Sequence, residues 1–343
     1  MADEQNGEPG QAPVLDGDPA HVAHDLLGAS GASGPGESES LTTVLVAFVA
    51  NILIAVAKSA AAVVTGSASL LAEAAHSWAD AGNEVFLLFA DRRSRRPADD
   101  MHPFGYGRDA YVWSLFAALG LFVAGAAVSI VHGIQELITP EPAGHFAVGY
   151  IVLGISFVLE GISFLQSVRQ AKPEAESLQR DLIEHVMVTS DPTLRAVFAE
   201  DSAALIGLVL AAAALGAHQI TGSPVPDAIG SILVGLLLAV VAIILINKNR
   251  RFLVGQEADP RVRAAAIQAL MNLPEVARVT YLRLEIVGPR MVSVIGDVDL
   301  TGDDTESYVA VRLRALEAKV CASPAVAGAV LSLSAPDEPT LKV

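Results

Sequence analysis

Six apolar stretches, each near or above the ~20 residues needed to cross a bilayer as a helix, constrain this chain more than any other feature. They run about Leu41–Val64, Ser69–Ala90, Ala110–Leu137, Phe146–Gln166, Leu194–Gly216 and Asp227–Ile246. The rest of the composition agrees. Only 17% of the 343 residues are charged, against ~25% in soluble domains, and the mean hydropathy is +0.48. An even number of crossings puts both termini on one side, and the loops say which. Arg92, Arg93, Arg95, Arg96 and Arg108 lie between spans two and three. Arg169, Lys172 and Arg180 lie between four and five, and Lys248, Arg250 and Arg251 follow span six. The loops around Gly66, Thr139–His145 and His218–Pro226 carry no Lys or Arg. The positive-inside rule therefore expects a multi-pass protein of the cell membrane with both termini in the cytoplasm.

Residues 1–40 hold eight acidic residues and no Lys or Arg, with abundant Gly, Pro, Ser and Ala, and read as a disordered acidic tail. No basic segment followed by an apolar core opens the chain, so no cleaved signal peptide is expected. The net charge of −16 lacks the basic footprint of a nucleic-acid binder. The single cysteine, Cys321, excludes an internal disulfide and a CxxC metal site.

Beyond Arg251 the pattern changes to that of a soluble domain. Asp259-Pro260 is an N-cap followed by proline at the first helical position, opening a helix to about Asn272. Leu282, Leu284 and Ile286 alternate with Arg283 and Glu285, as do Val292, Val294, Gly296, Val298 and Leu300 further on, which predicts two strands joined at Gly288-Pro289. A helix over about Asp304–Cys321 and a strand over Val326–Leu333 complete an αββαβ order, a small two-layer α+β domain. The expected division is 1–40 tail, 41–250 membrane domain and 251–337 cytosolic domain.

Within span two, His76 and Asp80 are four residues apart and share one helix face. Ionisable groups in mid-membrane are costly and mark functional sites by default. Asp80 lies about 16 Å from either end of its span, and Glu200-Asp201 sit about 12 Å into span five at 1.5 Å per residue. Asp201 is the natural partner by depth. A histidine and two carboxylates make a nitrogen and oxygen site suited to zinc, with manganese, cobalt or iron also accommodated. Glu200, Asn83, Glu160 in span four or water could add the fourth ligand. Ligands must lose protons to bind metal, which offers a route to proton exchange.

Span two reads Gly66-Ser67-Ala68-Ser69-Leu70-Leu71-Ala72-Glu73-Ala74-Ala75-His76-Ser77-Trp78-Ala79-Asp80, and the next loop reads Asp99-Asp100-Met101-His102-Pro103-Phe104-Gly105-Tyr106-Gly107-Arg108. Together these resemble two signatures of the cation diffusion facilitator family, the cation efflux transporters. The resemblance covers about Leu41 to Pro336. It implies six transmembrane helices plus a C-terminal cytosolic ferredoxin-like α+β domain, a homodimer that dimerises through that domain, and exchange of a divalent cation for protons. It implies no cofactor beyond the transported ion. One departure concerns the fifth helix, where Val197 stands at a position the family commonly fills with His or Asp. The Glu200-Asp201 pair, Asn83 and Glu160 resemble a subgroup in which Glu-Asp replaces that arrangement, so Glu200 is the expected compensating ligand. In the loop, Asp99 and His102 match two ligands of a second site seen in relatives, but Tyr106 replaces the third. Histidine is absent after His218, so the family's cytosolic zinc site is not expected.

Each of these groups also has a structural reading. His76 could be a satisfied buried histidine, Glu160 could bond Ser163 or Asn51 and brace packing, and His102-Pro103 could be a turn. Asn51 reads as polar glue, Lys58 as a snorkelling cation, His132 and Glu136 as interfacial, and Asp227 as the N-cap of span six. The competing function is a membrane receptor or scaffold whose cytosolic domain docks a partner. An enzyme is not expected, for lack of a nucleophile–base set or a phosphate loop.

Overall fold

The computed structural model describes residues 41–140 and 144–342; the acidic tail expected over 1–40 lies outside them. The long helices are α1 (Leu41–Thr65), α2 (Ala68–Ser94), α5 (Phe146–Ser177), α7 (Pro192–Thr221) and α8 (Val225–Val254). The third span is continuous but composite. It comprises α3 (Asp109–Gly120), a π-helical segment (Leu121–Ala127) and α4 (Val128–Ile138). A short α6 (Leu182–Val188) occupies the loop before α7.

By length and composition, five of these helical runs are apolar enough to cross a membrane. The exception is α2, which carries Glu73, Asp80, Glu84 and Asp91 along 27 residues. Its place in the bundle accounts for that composition, since α2 packs against α1, α3, the π segment, α4, α7 and α8. Trp78, Val85 and Phe89 of α2 are exposed, whereas Glu73, His76 and Asn83 are buried against those neighbours, which can match the polar groups.

The entry to α2 is held from a distance. Ser67 caps it, its Oγ accepting from Leu70 N at 3.2 Å. The Asp227 carboxylate then accepts from Ser67 Oγ at 3.0 Å, from Ala68 N at 2.7 Å and from Ser69 Oγ. Asp227 is therefore not the cap of its own helix, which begins two residues earlier at Val225. It satisfies an orphan amide and two hydroxyls at the start of α2, 159 positions away in sequence from Ala68.

The C-terminal domain is α9 (Pro260–Met271), β1 (Val276–Gly288), β2 (Met291–Leu300), α10 (Glu306–Cys321) and β3 (Val326–Leu333), in sheet order β1-β2-β3. β1 and β2 form an antiparallel hairpin closed at Gly288–Met291, and β3 runs parallel to β2. β1 starts six residues earlier than alternation predicts. Irregularities between Val276 and Arg278 and between Val279 and Tyr281 break its period, so Val276, Val279 and Leu282 are buried at intervals of three.

This domain is joined to the membrane helices by packing as well as by chain. Tyr111 of α3 stacks on Phe252 of α8 at 4.9 Å, and both belong to the buried cluster that includes Leu282, Leu284 and Val298. Gly107 lies so close to the hairpin turn that a Cβ there would come within 2.7 Å of Val287 O and 2.8 Å of Gly288 Cα. Arg290, at the turn, donates from its guanidinium to Glu174 Oε2 of α5 at 3.1 Å, and its amide donates to Ser190 Oγ at 3.0 Å.

Candidate metal centre

His76 is 1% exposed, and its Nε2 lies 3.2 Å from Asp80 Oδ2. The approach is not aligned for a hydrogen bond. Among the described residues, neither ring nitrogen nor Asp80 Oδ1 has a hydrogen-bond partner, and all three atoms are enclosed. Buried polar atoms left without partners are uncommon, and here they cluster on the face of α2 that the sequence singles out.

The other sequence-predicted residues surround this pair. Asp80 is the charged group that acts in common on His76, Glu84, Glu160, Glu200 and Asp201. Each has its own local neighbour. Asn83 donates from Nδ2 to both carboxylate oxygens of Glu200, at 2.5 Å to Oε1. Ser163 donates to Asp201 Oδ2 at 2.9 Å. Glu160 lies 3.8 Å from Lys58 Nζ. The sequence suggests Ser163 or Asn51 as its partner, but those two serve Asp201 and Glu84. Among the described residues no group of three His, Cys, Asp or Glu side chains is close enough to hold an ion. The carboxylates are brought into one another's field, yet held apart by amide, hydroxyl and ammonium donors. Val197 is part of α7 one turn before Asp201, on the face where a further ligand would stand.

Two pairings go beyond the sequence expectations. Lys58 does not snorkel to an interface; it is 1% exposed and donates to Glu73 Oε2 at 3.1 Å, with Glu73 fully enclosed. Asn51 Nδ2 donates to Glu84 Oε1 at 2.5 Å. The sequence does hold a signal for Glu84, because it continues the four-residue spacing of His76 and Asp80. The signal for Lys58 is a cation facing an acid on the neighbouring helix, which requires the rotation of α1 against α2.

The loop pair is built differently. Asp99 Oδ1 accepts from Met101 N at 3.0 Å and His102 N at 2.7 Å and lies 3.0 Å from His102 Nδ1. Tyr106 Oη donates to Asp99 Oδ2 at 2.7 Å. The phenol first, then the imidazole, hold this carboxyl down to about 2, and the same bond pushes the Tyr106 phenol up. The His102 ring lies tilted against Tyr106, with centroids 4.1 Å apart, and closes the turn. These contacts account for the loop residues as a self-contained turn.

Long apolar helices packed against one more polar helix, with buried acids near one histidine, define a multi-pass membrane protein with a polar interior. Residues 44–254 match the cation efflux transmembrane domain, and the chain belongs to the cation efflux family. It is 37% identical over 233 residues to metal tolerance protein C4 of Arabidopsis thaliana, covering 68% of this chain and 51% of that protein. It is 33% identical over 277 residues to the mitochondrial proton-coupled zinc antiporter SLC30A9 of Homo sapiens, covering 80% of this chain and 48% of that protein. The cation-efflux pump FieF of Escherichia fergusonii is 39% identical over 95 residues, 27% of this chain and 31% of that one. The chain thus spans about half the length of the first two relatives.

Proposed function

We propose that the chain exports a divalent cation from the cytoplasm in exchange for protons, with zinc the preferred ion and manganese, cobalt and iron the alternatives. His76, Asp80, Glu200 and Asp201 form the transport site, Asn83 and Glu160 adjust it, and the Asp99–His102 turn lies outside it. The observation that carries this reading is the buried His76 beside Asp80, with both ring nitrogens and Asp80 Oδ1 enclosed and without hydrogen-bond partners among the described residues, in the neighbourhood of Glu160, Glu200 and Asp201. The similarity to a relative named as a proton-coupled zinc antiporter supports it. Family membership favours it over a receptor or scaffold.

The chemistry follows from the donor set. An arriving cation supplies positive charge to carboxylates that now meet the neutral donors Asn83 and Ser163 and the Lys58 ammonium. His76 and the carboxylates release their protons as they ligate, and protons arriving from the other side displace the ion. The protein works as a homodimer joined through its cytosolic domain, in the cell membrane with both termini cytoplasmic. Growth of a strain lacking its own zinc exporters tests the reading. Wild type restores growth on elevated zinc and Asp80→Ala does not; rescue by Asp80→Ala equal to wild type would remove Asp80 from the site.

A further inference from the structure

The tip of the β1–β2 hairpin meets the membrane helices through one residue. Arg290 follows Pro289 in the turn between Gly288 and Met291, with a φ of 56°. Glycine is the usual occupant of such a position, because a Cβ is strained there. Arginine instead uses both its amide and its side chain. The amide donates to Ser190 Oγ at 3.0 Å. Nη2 donates to Glu174 Oε2 at 3.1 Å and lies 3.7 Å from Asp191 Oδ2. One nitrogen thus faces two carboxylates, one near the end of α5 and one at the start of α7. His185 of α6 also approaches Glu174, its Nε2 lying 3.7 Å from the same Oε2.

The segment that Arg290 meets, Thr189-Ser190-Asp191, leads directly into α7. Thr189 O accepts from Arg195 Nη2 at 2.5 Å, and Ser190 O accepts from Tyr111 Oη at 2.9 Å. Asp191 Oδ1 caps α7, accepting from Thr193 N at 2.9 Å and Leu194 N at 3.2 Å. From this end α5 and α7 pack along one another towards the transport site. The rings of Phe164 and Phe198 meet at 5.4 Å, and Ser163 donates to Asp201 Oδ2 at 2.9 Å. Nine residues separate Asp191 from Glu200, about 14 Å along the helix. The α5–α7 contact is therefore held by Ser163–Asp201 at the site and by a guanidinium between Glu174 and Asp191 at the cytosolic-domain end. Without that guanidinium two like charges face one place, and their repulsion drives the helix ends apart.

We propose that Arg290 is a positioning residue for transport. From the cytosolic hairpin it fixes the ends of α5 and α7, and through them the placing of Glu200 and Asp201 against His76 and Asp80. It touches neither the ion nor its ligands. The role rests on the transport reading above and adds to it a cytosolic-domain residue that sets the affinity of the site.

Zinc flux into proteoliposomes of the full chain, read alongside the unfolding midpoint of the same variants, tests this role. Arg290→Gly removes the guanidinium and relaxes the backbone, so the midpoint should stay close to that of wild type. KM for zinc should rise about fivefold, the scale of coupling carried through packed networks, with kcat within about twofold. Arg290→Lys keeps a cation between the two carboxylates and should recover part of the loss. Adding Glu174→Gln to Arg290→Gly removes one of the two repelling charges, so the double variant should have a lower KM than Arg290→Gly alone. An unchanged KM in Arg290→Gly, a Lys variant no better than the Gly variant, or a double variant no better than Arg290→Gly would overturn the proposal. A rise in KM accompanied by a matching fall in the midpoint would also overturn it, since Arg290 would then serve stability alone. A wild type that moves no zinc refutes the transport reading instead, so the two failures are distinct.

Discussion

The buried pair Lys58–Glu73 makes a prediction whose size follows from its geometry. At 3.1 Å, and with an effective dielectric of about 20, the pair attraction is about 5 kcal/mol. Glu160 at 3.8 Å adds about 4 kcal/mol on the same scale. Most of this offsets the cost of taking the charges out of water, so the net worth of the pair is small, whereas removal of one partner exposes that cost. Lys58→Met should therefore destabilise the membrane domain by about 3–5 kcal/mol, seen as a drop of several degrees in the unfolding midpoint of the detergent-solubilised protein. Adding Glu73→Leu to Lys58→Met should recover most of the loss, because the fully enclosed orphan charge is gone and Glu160, 15% exposed, can find water. Thermal unfolding of wild type, the two single variants and the double variant completes the cycle. If Lys58→Met melts with wild type, or if the double variant is as unstable as the sum of the singles, Lys58 and Glu73 are not a coupled buried unit.

Three further outcomes follow. Asp227→Ala should cost about 1–3 kcal/mol by leaving the Ala68 amide and the Ser67 and Ser69 hydroxyls unpaired, and hydrogen exchange should show the first turn of α2 opening. Gly107→Ala must push Val287 or Gly288 aside and should lower the unfolding midpoint by the overpacking cost of about 1–3 kcal/mol. The carboxyl of Asp99 is depressed to about 2, so its contribution to the loop is present above its unfolded value near ~4 and is lost as pH falls from there through the depressed value. Tyr106→Phe removes the largest cause and should move the onset of acid-induced proteolysis of the 99–106 loop to higher pH, and an unchanged onset would show that Tyr106 does not hold Asp99.

The membrane helices and the αββαβ domain are legible in the sequence because each obeys a local rule, namely span length, loop charge, or alternation and capping. His76 with Asp80, and Glu200 with Asp201, are legible because ionisable groups stand out against apolar helices. What the sequence conceals are features that depend on how helices rotate against one another. Lys58 faces Glu73, Asn51 faces Glu84 and Asp227 reaches Ser67, all across helix boundaries with no periodic trace. The start of β1 is hidden because its irregular register destroys the period-2 pattern. The π segment is hidden because Leu121–Ala127 is as apolar as the α-helix on either side. π-segments gather at functional sites, and this one packs against α2 and α8.

Coupled flux tests proton-driven transport through the His76–Asp80 site most directly. Full-length protein in liposomes, loaded with pH-sensitive and zinc-sensitive dyes, is given zinc on one side with and without an imposed pH gradient. Proton exchange at this site predicts zinc movement accelerated by an opposing proton gradient, a counter-movement of protons when zinc alone is supplied, and loss of both in Asp80→Ala. Zinc movement indifferent to the gradient would contradict proton exchange, and full flux in Asp80→Ala would contradict the site.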